Sequence, residues 1–229
     1  FRAISFGLFA YALFVGCATS KGHAVPDVKY GKINLNGMVY NQEGLPVKAV
    51  LLTMDDRITV SSDYNGRFTF QNVEPGAHAL VTSLEGYEEY RTSFSFARPS
   101  EILYVSLLSL DGLLALAEKR IDSREWAQAD SYAQRALAVS PKDSRARYLQ
   151  AVLLSSKQRI DRSPEKAKEI LLSLLSDGYT NPSVYLFLAD IYQYGNGDLV
   201  KAAEYLSLYL RQRADSDIEK RLKEISKQP

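Results

Sequence analysis

The spacing of hydrophobic and polar residues divides the chain into three stretches. Residues 3–16 are almost entirely apolar, residues 33–107 alternate between apolar and polar positions, and residues 108–229 carry apolar positions three or four residues apart. Alternation is typical of half-buried β-strands, and the longer period is typical of amphipathic α-helices. The chain is therefore predicted to be a multi-domain β + α protein in which the strands precede the helices.

Residues 33–107 are predicted to form a small, seven-stranded antiparallel β-sandwich. Residues that favour turns separate the strand-like segments, and Asn65–Gly66 is the strongest turn signal. Both residues of this pair tolerate the positive φ that tight hairpin turns require. The predicted strands are Ile33–Asn41, Pro46–Met54, Ile58–Ser62, Arg67–Phe70, Ala77–Leu84, Tyr87–Phe96 and Glu101–Leu107.

Residues 108–229 contain an internal repeat in which small residues return after 34 to 38 positions. The small residues are Ala117, Ala151 and Ala189 in one series and Ala129, Ala167 and Ala202 in the other. Because a small side chain lets two antiparallel helices approach closely, each repeat is predicted to be a helix hairpin with these alanines inside. The result is an α-solenoid of about three hairpins, and Asp217–Lys227 is predicted to be its C-terminal capping helix.

Local signals place the helix ends. Helices are predicted to open at Asp122–Ser123 and at Ser163–Pro164, since Ser and Asp cap helix starts and Pro suits the first turn. Asp177–Gly178 and Gly197 lie where helices stop or turn. The third repeat has one residue more than its period requires, near Tyr194–Gly197.

Composition and charge narrow the function classes. The chain has 28 Lys+Arg against 27 Asp+Glu, so it has no strong overall field to attract nucleic acid. It has one Cys and two His, and motifs such as Gly-x-Ser-x-Gly or His-Glu-x-x-His do not occur. A non-catalytic protein without a cofactor or a metal is therefore predicted. Calcium binding by Asp55, Asp56 and Asp63 is an alternative, although turns use Asp in any case.

The apolar run at residues 3–16 is too short to span a hydrocarbon core of about 30 Å. A basic residue, a short apolar stretch and small residues are typical of a secretory signal. The junction Phe14-Val15-Gly16-Cys17 resembles the lipobox of bacterial lipoproteins. That resemblance implies that residues 1–16 are removed, that Cys17 is lipidated and that residues 17–32 form a tether. The alternative is a cleaved signal with an incidental Cys.

The turn residues of the β region carry a second resemblance. The segments Gly44-x-Pro46-Val47, Asn65-Gly66-x-Phe68-x-Phe70 and Val73-x-Pro75-Gly76 stand in the order found in the carboxypeptidase regulatory-like, or transthyretin-like, β-sandwich. This resemblance covers nearly all of residues 33–107. It implies a fold and no reaction, because such domains serve as packing or recognition modules.

The helical repeats resemble tetratricopeptide (TPR) repeats, whose period is about 34 residues. Repeats of this family bind partners in a groove lined by their first helices. The resemblance implies that the groove here is lined by Leu114, Glu118, Arg145, Tyr148, Val152, Leu186, Asp190 and Gln193. The same face could instead be merely solvated, or it could pack on the β domain.

Three classes of function remain open from the sequence. The first is a membrane-anchored lipoprotein of the bacterial cell envelope, in the outer membrane facing the periplasm, that acts as an adaptor or assembly scaffold. Its partners would be other envelope proteins through the TPR groove and the membrane through lipid on Cys17, with no nucleic acid. The alternative is an envelope lipoprotein that binds a small molecule or a glycan through its β-sandwich. The third class is an enzyme that uses a pair of carboxylates.

Overall fold

A computed structural model describes residues 31–156 and 163–227 of the chain. Within these residues the strands come first and the helices follow, so the protein is a mixed β + α chain with two sheets and seven α-helices. The last strand ends at Leu107 and the first helix begins at Leu110, which leaves almost no linker. The predicted signal and most of the tether, including Cys17, lie outside the described residues.

The strands and helices have the following bounds. The strands are β1 (Ile33–Asn41), β2 (Leu51–Met54), β3 (Ile58–Ser61), β4 (Arg67–Val73), β5 (Gly76–Ser83), β6 (Tyr90–Phe96) and β7 (Ile102–Leu107). The helices are α1 (Leu110–Asp122), α2 (Trp126–Val139), α3 (Ser144–Ser155), α4 (Pro164–Ser176), α5 (Pro182–Asp190), α6 (Leu199–Gln212) and α7 (Ser216–Ile225). A π-helical turn, Ile191–Asn196, continues α5.

The strands form a three-stranded sheet in the order β4-β1-β7 and a four-stranded sheet in the order β3-β2-β5-β6. Strand β1 is antiparallel to β4 and parallel to β7, so the expectation of a wholly antiparallel arrangement is wrong at this pair. The chain reaches β7 by crossing from one sheet to the other after β6. No hairpin joins β7 to its neighbour, and therefore nothing forces the pair to be antiparallel.

Strand β4 continues three residues beyond its predicted end at Phe70. Its alternation of buried and exposed residues breaks at Asn72, which has a φ of 55°. The register shifts at the same place, because Ile33 pairs with Val73 whereas Leu35 pairs with Phe70. An extra residue in one strand is a β-bulge, and it hides the end of the strand from a search for strict alternation.

The two sheets share one hydrophobic core. Alternate side chains of each sheet point into it, and burying this apolar surface is the main force that holds the sheets together. The buried members on the strands are Leu35, Val39, Phe68, Phe70, Val73, Val105 and Leu107 from the three-stranded sheet and Leu52, Met54, Leu80 and Phe96 from the four-stranded sheet.

The tightest hairpin turn is not at Asn65–Gly66. It lies between β2 and β3, where Asp55 and Asp56 have φ values of 51° and 54° and Arg57 donates its backbone N–H to the carbonyl of Met54. Two central residues with positive φ suit the twist of a two-residue hairpin. Gly66 has a φ of 72°, but its turn leads from β3 in one sheet to β4 in the other.

The helices pack in sequential pairs, α1 on α2, α3 on α4 and α5 on α6, with α7 on α6. Side chains cap several helix starts, as Asp143 does for α3 and Asn181 for α5. Helix α4 begins at Pro164 as predicted. The prediction of a helix start at Asp122–Ser123 is wrong, since these residues end α1 and α2 starts at Trp126. Asp and Ser are tolerated at both ends of a helix, so this pair marks the end of α1 and not the start of α2.

The six repeated alanines are all fully buried, which confirms the prediction that they lie inside the helix pairs. The extra residue of the third repeat also has a structural counterpart. The π-helical turn Ile191–Asn196 follows α5 and ends at Gly197, whose φ is 69°. A π turn accommodates one additional residue without breaking the helix. Among the described residues, no helix is long and apolar enough to cross a membrane.

Candidate partner-binding face

Side chains of the first helix of each pair, and of α7, connect these helices to one another. Asp111 and Arg145 join α1 to α3, Tyr148 and Phe187 join α3 to α5, and Asp190 and Arg221 join α5 to α7. We call these six residues the helix-linking row. Three residues of the predicted groove, Arg145, Tyr148 and Asp190, therefore belong to one row of contacts that runs from α1 through α3 and α5 to α7.

Arg145 lies at the end of the row that is nearest to the β region. Its guanidinium binds the carboxylate of Asp111 at 2.7 Å and that of Asp143 at 3.3 Å. Arg145 and Asp111 also line a cleft of about 410 Å³ together with Asn41, Gln42 and other residues of the β region. The face that carries the helix-linking row is therefore bounded on this side by the β region.

Tyr148 fills the centre of the row. Its ring meets the ring of Phe187 edge-on, with centroids 6.4 Å apart. Burial raises the pKa of the Tyr148 phenol, whereas a hydrogen bond with Ser183 acts in the opposite direction. The phenol is therefore protonated at neutral pH, and the half-buried ring packs α3 against α5.

Arg221 of α7 binds the side chains of two predicted groove residues, Asp190 and Gln193. It pairs with Asp190 at 2.7 Å, and it donates two hydrogen bonds to Oε1 of Gln193, at 2.9 and 2.6 Å. Its guanidinium also lies over the ring of Tyr194, 5.3 Å from the centroid. Asp190 and Gln193 thus hold the last helix in place. Arg221 is absent from the predicted groove residues because it belongs to the charged side of the capping helix.

The other predicted residues differ in accessibility. Leu114 does not line the face, because it is only 4% exposed and packs in the core of α1, α2 and α3. Val152 and Leu186 are half-buried, and Glu118 is exposed. The structure therefore brings most of the predicted residues onto neighbouring helices but leaves few of them with a free surface.

A pocket of about 280 Å³ lies where α3 ends and α5 passes into the π-helical turn. Its lining is mostly apolar and carries the carboxylate of Asp190. The described lining residues are Ser155, Pro164, Phe187, Asp190, Ile191, Tyr194 and Gly195. Tyr194 is 69% exposed, whereas Tyr192 and Tyr209 of the same repeat are buried. Tyr194 is thus the most exposed aromatic side chain of this face, and the part of its ring that Arg221 does not cover can stack on a partner.

In the first helix pair, the second helix, α2, contacts the β region. Arg135 of α2 makes a bidentate pair with Glu88 of the β region, at 2.7 and 2.6 Å. Gln42 of the β region hydrogen-bonds to Ser109, which caps α1. Charge-assisted bidentate pairs fix orientation as well as distance. The Arg135–Glu88 pair thus holds α2 against the β region, and the Gln42–Ser109 bond holds the start of α1 there.

Two of the three acidic residues considered for calcium, Asp55 and Asp63, serve other roles. Asp63 accepts backbone hydrogen bonds from Asn65 and Arg67, and so stabilises its own turn. Asp55 binds His78 and the backbone of Ala79. Within residues 31–156 and 163–227 there is no group of three or more His, Cys, Asp or Glu side chains that is placed to hold a metal ion.

Comparison with protein-family models and with curated proteins gives no match. Among solved structures, the type III secretion chaperone SycD of Yersinia enterocolitica, in complex with a peptide of the translocator YopD, is 18% identical and has a TM-score of 0.41. The similarity covers 51% of this chain and 88% of that chain. The 3-chlorocatechol 1,2-dioxygenase of Rhodococcus opacus is 17% identical, with a TM-score of 0.27, over 36% of this chain and 62% of that chain. Neither similarity assigns a family or an activity.

Proposed function

We propose that this protein is a non-catalytic, lipid-anchored adaptor or scaffold of the bacterial cell envelope. In this proposal residues 33–107 are a β-sandwich of the carboxypeptidase regulatory-like kind, and residues 108–229 are a TPR-like solenoid that binds other envelope proteins. The anchor is lipid on Cys17, which follows a short apolar run at a Gly16-Cys17 junction. Its expected place is the outer membrane, facing the periplasm.

The observation that carries the proposal is the pocket beside the π-helical turn. Apolar and aromatic side chains line it, and the exposed Tyr194 is one of them. Asp190 also belongs to the lining, with its carboxylate paired to Arg221. Tyr is one of the residue types that most often dominate protein interfaces, where its truncation costs about 2 kcal/mol or more. The helix-linking row holds α3 and α5, which both contribute to this pocket, in fixed positions. A preorganised surface loses less entropy when a partner binds.

One observation favours the second candidate, in which the β region binds a glycan or a small molecule. Tyr40 and Tyr104 stand on adjacent strands, with ring centroids 6.4 Å apart and planes inclined by 22°. Tyr104 is 64% exposed, and its neighbour Ile102 is exposed as well. Paired aromatic rings on an open sheet face offer a stacking surface for a flat ligand or for the apolar side of a sugar.

Two matched variants separate these candidates. Tyr194→Ala and Tyr104→Ala each remove an exposed tyrosine of similar accessibility, one from the helices and one from the sheet. Each protein is purified with its partners from detergent-solubilised membranes, and the recovered proteins, glycans and small molecules are identified by mass spectrometry. With the adaptor function, Tyr194→Ala reduces partner affinity by about 30-fold, which corresponds to about 2 kcal/mol. Tyr104→Ala leaves recovery unchanged.

The opposite pattern would assign recognition to the sheet. If Tyr194→Ala retains every partner and Tyr104→Ala loses them, the helical face is not the binding surface. Alanine at Arg145 or Tyr148 is a poorer test. Both side chains link helices, so their loss would disturb packing as well as any contact with a partner.

A further inference from the structure

His78 connects two turns that are distant in sequence. It lies on β5 with its side chain only 13% exposed. Its Nδ1 is 2.7 Å from Oδ2 of Asp55 in the β2–β3 turn, and its Nε2 is 2.8 Å from the backbone carbonyl oxygen of Glu74, between β4 and β5. The rings of Phe94 and Phe96 on β6 lie beside it, with centroids 5.8 and 5.5 Å away.

Both partners of the imidazole are hydrogen-bond acceptors. A carbonyl oxygen has no proton to give, and an ionised carboxylate has none either. A neutral imidazole carries one N–H, so it satisfies one of these contacts and turns a nitrogen lone pair towards the other oxygen. The imidazolium carries two N–H groups and satisfies both. The geometry around His78 is therefore that of a doubly protonated ring.

We propose that His78 is a proton-operated clamp that ties the β2–β3 turn to the β4–β5 turn when its ring is charged and releases one of them when it loses a proton. The device belongs to the β region alone and does not depend on the proposed adaptor function. It lies beside the point where the chain enters β1, because Lys32 pairs with the side chain of Glu74 at 3.9 Å.

The charges around the ring favour the clamped form. Asp55 and Glu74 are the acids that face it, whereas Arg57 and Lys32 line the same pocket as bases. Burial opposes the charge of His78, but the hydrogen bonds with Asp55 and with the carbonyl of Glu74 outweigh it and raise the pKa of His78 above 6.5. The hydrogen bond from His78 likewise lowers the pKa of Asp55 below 3.8.

These directions define the pH window of the clamp. A raised His pKa stabilises the fold fully below 6.5, and this contribution is lost as pH rises through the folded-state value. A lowered Asp pKa stabilises the fold above 3.8, and that contribution is lost at lower pH. The clamp is thus closed between pH 3.8 and 6.5 and opens as the pH rises through the folded-state pKa of His78.

NMR titration of the imidazole rings tests the proposal directly. The chain has two histidines, His23 and His78, so selective ¹⁵N-histidine labelling of the full chain in detergent gives a simple spectrum, and His23→Gln assigns it. We expect a His78 midpoint above that of the urea-unfolded chain, with both ring nitrogens protonated at lower pH. A midpoint at or below the unfolded value, or a single protonated nitrogen throughout, would overturn the clamp.

Two variants at the turn separate the specific bond from general electrostatics. Asp55→Asn removes the charge that contacts His78, and Asp56→Asn removes the same charge one residue away, at a similar positive φ. Asn tolerates that backbone conformation, so both variants are expected to fold. The His78 midpoint should fall clearly in Asp55→Asn and little in Asp56→Asn. Equal falls would show that only the summed charge matters and would contradict the clamp.

A stability measurement gives an independent check. The melting temperature of the wild type should fall as the pH rises above 6.5 and the ring loses its proton. This part of the fall should disappear in His78→Gln, which cannot titrate. If His78→Gln retains the whole pH dependence, the proton on His78 does not hold the turns together.

Discussion

Ala189 is the position at which close packing of the helix pairs is most directly tested. It is fully buried on α5, in a cluster that also contains Ala151, Leu188 and Ala202. A leucine at this position adds three carbon atoms where neighbouring helices already touch. The surrounding side chains must leave their preferred rotamers or the helices must separate.

The expected loss of stability follows from the lack of free space around Ala189. Overpacking a dense core costs about 1–3 kcal/mol. For a chain of about 150–250 residues, each kcal/mol lowers the melting temperature by roughly 2–4 °C. Ala189→Leu should therefore lower the melting temperature by roughly 2–12 °C, and Ala151→Leu should do the same because Ala151 is equally buried.

Ala138→Leu is the matched control. Ala138 is exposed on α2, and Ala and Leu both favour helices. This change should alter stability by less than about 0.5 kcal/mol. Thermal and urea unfolding of the full chain, followed by far-UV circular dichroism, compares the three variants. If Ala189→Leu and Ala151→Leu melt with the wild type, the buried alanines do not set the spacing of the helices.

Two further outcomes are expected. Gly66→Ala should destabilise the protein more than Gly44→Ala, as measured by urea unfolding. Both glycines have positive φ, which costs about 1–2 kcal/mol with a side chain, but a Cβ at Gly66 would also lie 2.4 Å from the carbonyl oxygen of Val39. Equal losses of stability in the two variants would mean that the turn at Gly66 shifts away from Val39 without cost. Metabolic labelling with a fatty-acid analogue should mark the wild type and not Cys17→Ser, whereas equal labelling of both would exclude Cys17 as the anchor.

The repeat alanines show what periodicity predicts well. A residue that must be small, at a fixed place in each of three helix pairs, leaves a record in the sequence because the constraint is local and is repeated. The same holds for β1, whose predicted bounds match the structure, and for Pro164 at the first turn of α4. The extra residue of the third repeat was also visible, although its accommodation as a π-helical turn was not.

The candidate site shows where sequence reasoning stops. The prediction of the eight groove residues rests on their position in the repeat. That position indicates which face of its helix a residue lies on, but it does not indicate which side chains of other helices the residue contacts. Leu114 is buried because α2 and α3 cover it, and Asp190 and Gln193 are engaged because Arg221 arrives from a helix about 30 residues later. Tyr194, on the π-helical turn, is 69% exposed, and position in the repeat did not identify it.

By itself, the sequence determined the order of strands and helices, the burial of the repeated alanines and the near absence of a linker, because these depend on short-range periodicity and on local turn chemistry. The tertiary structure alone decided that β7 runs parallel to β1, that Asp55 meets His78 and that Arg221 holds Asp190. Each of these contacts joins residues brought together by the packing of separate elements. A pattern along one chain segment carries no information about such partners, because their distance is set by the fold and not by their separation in sequence.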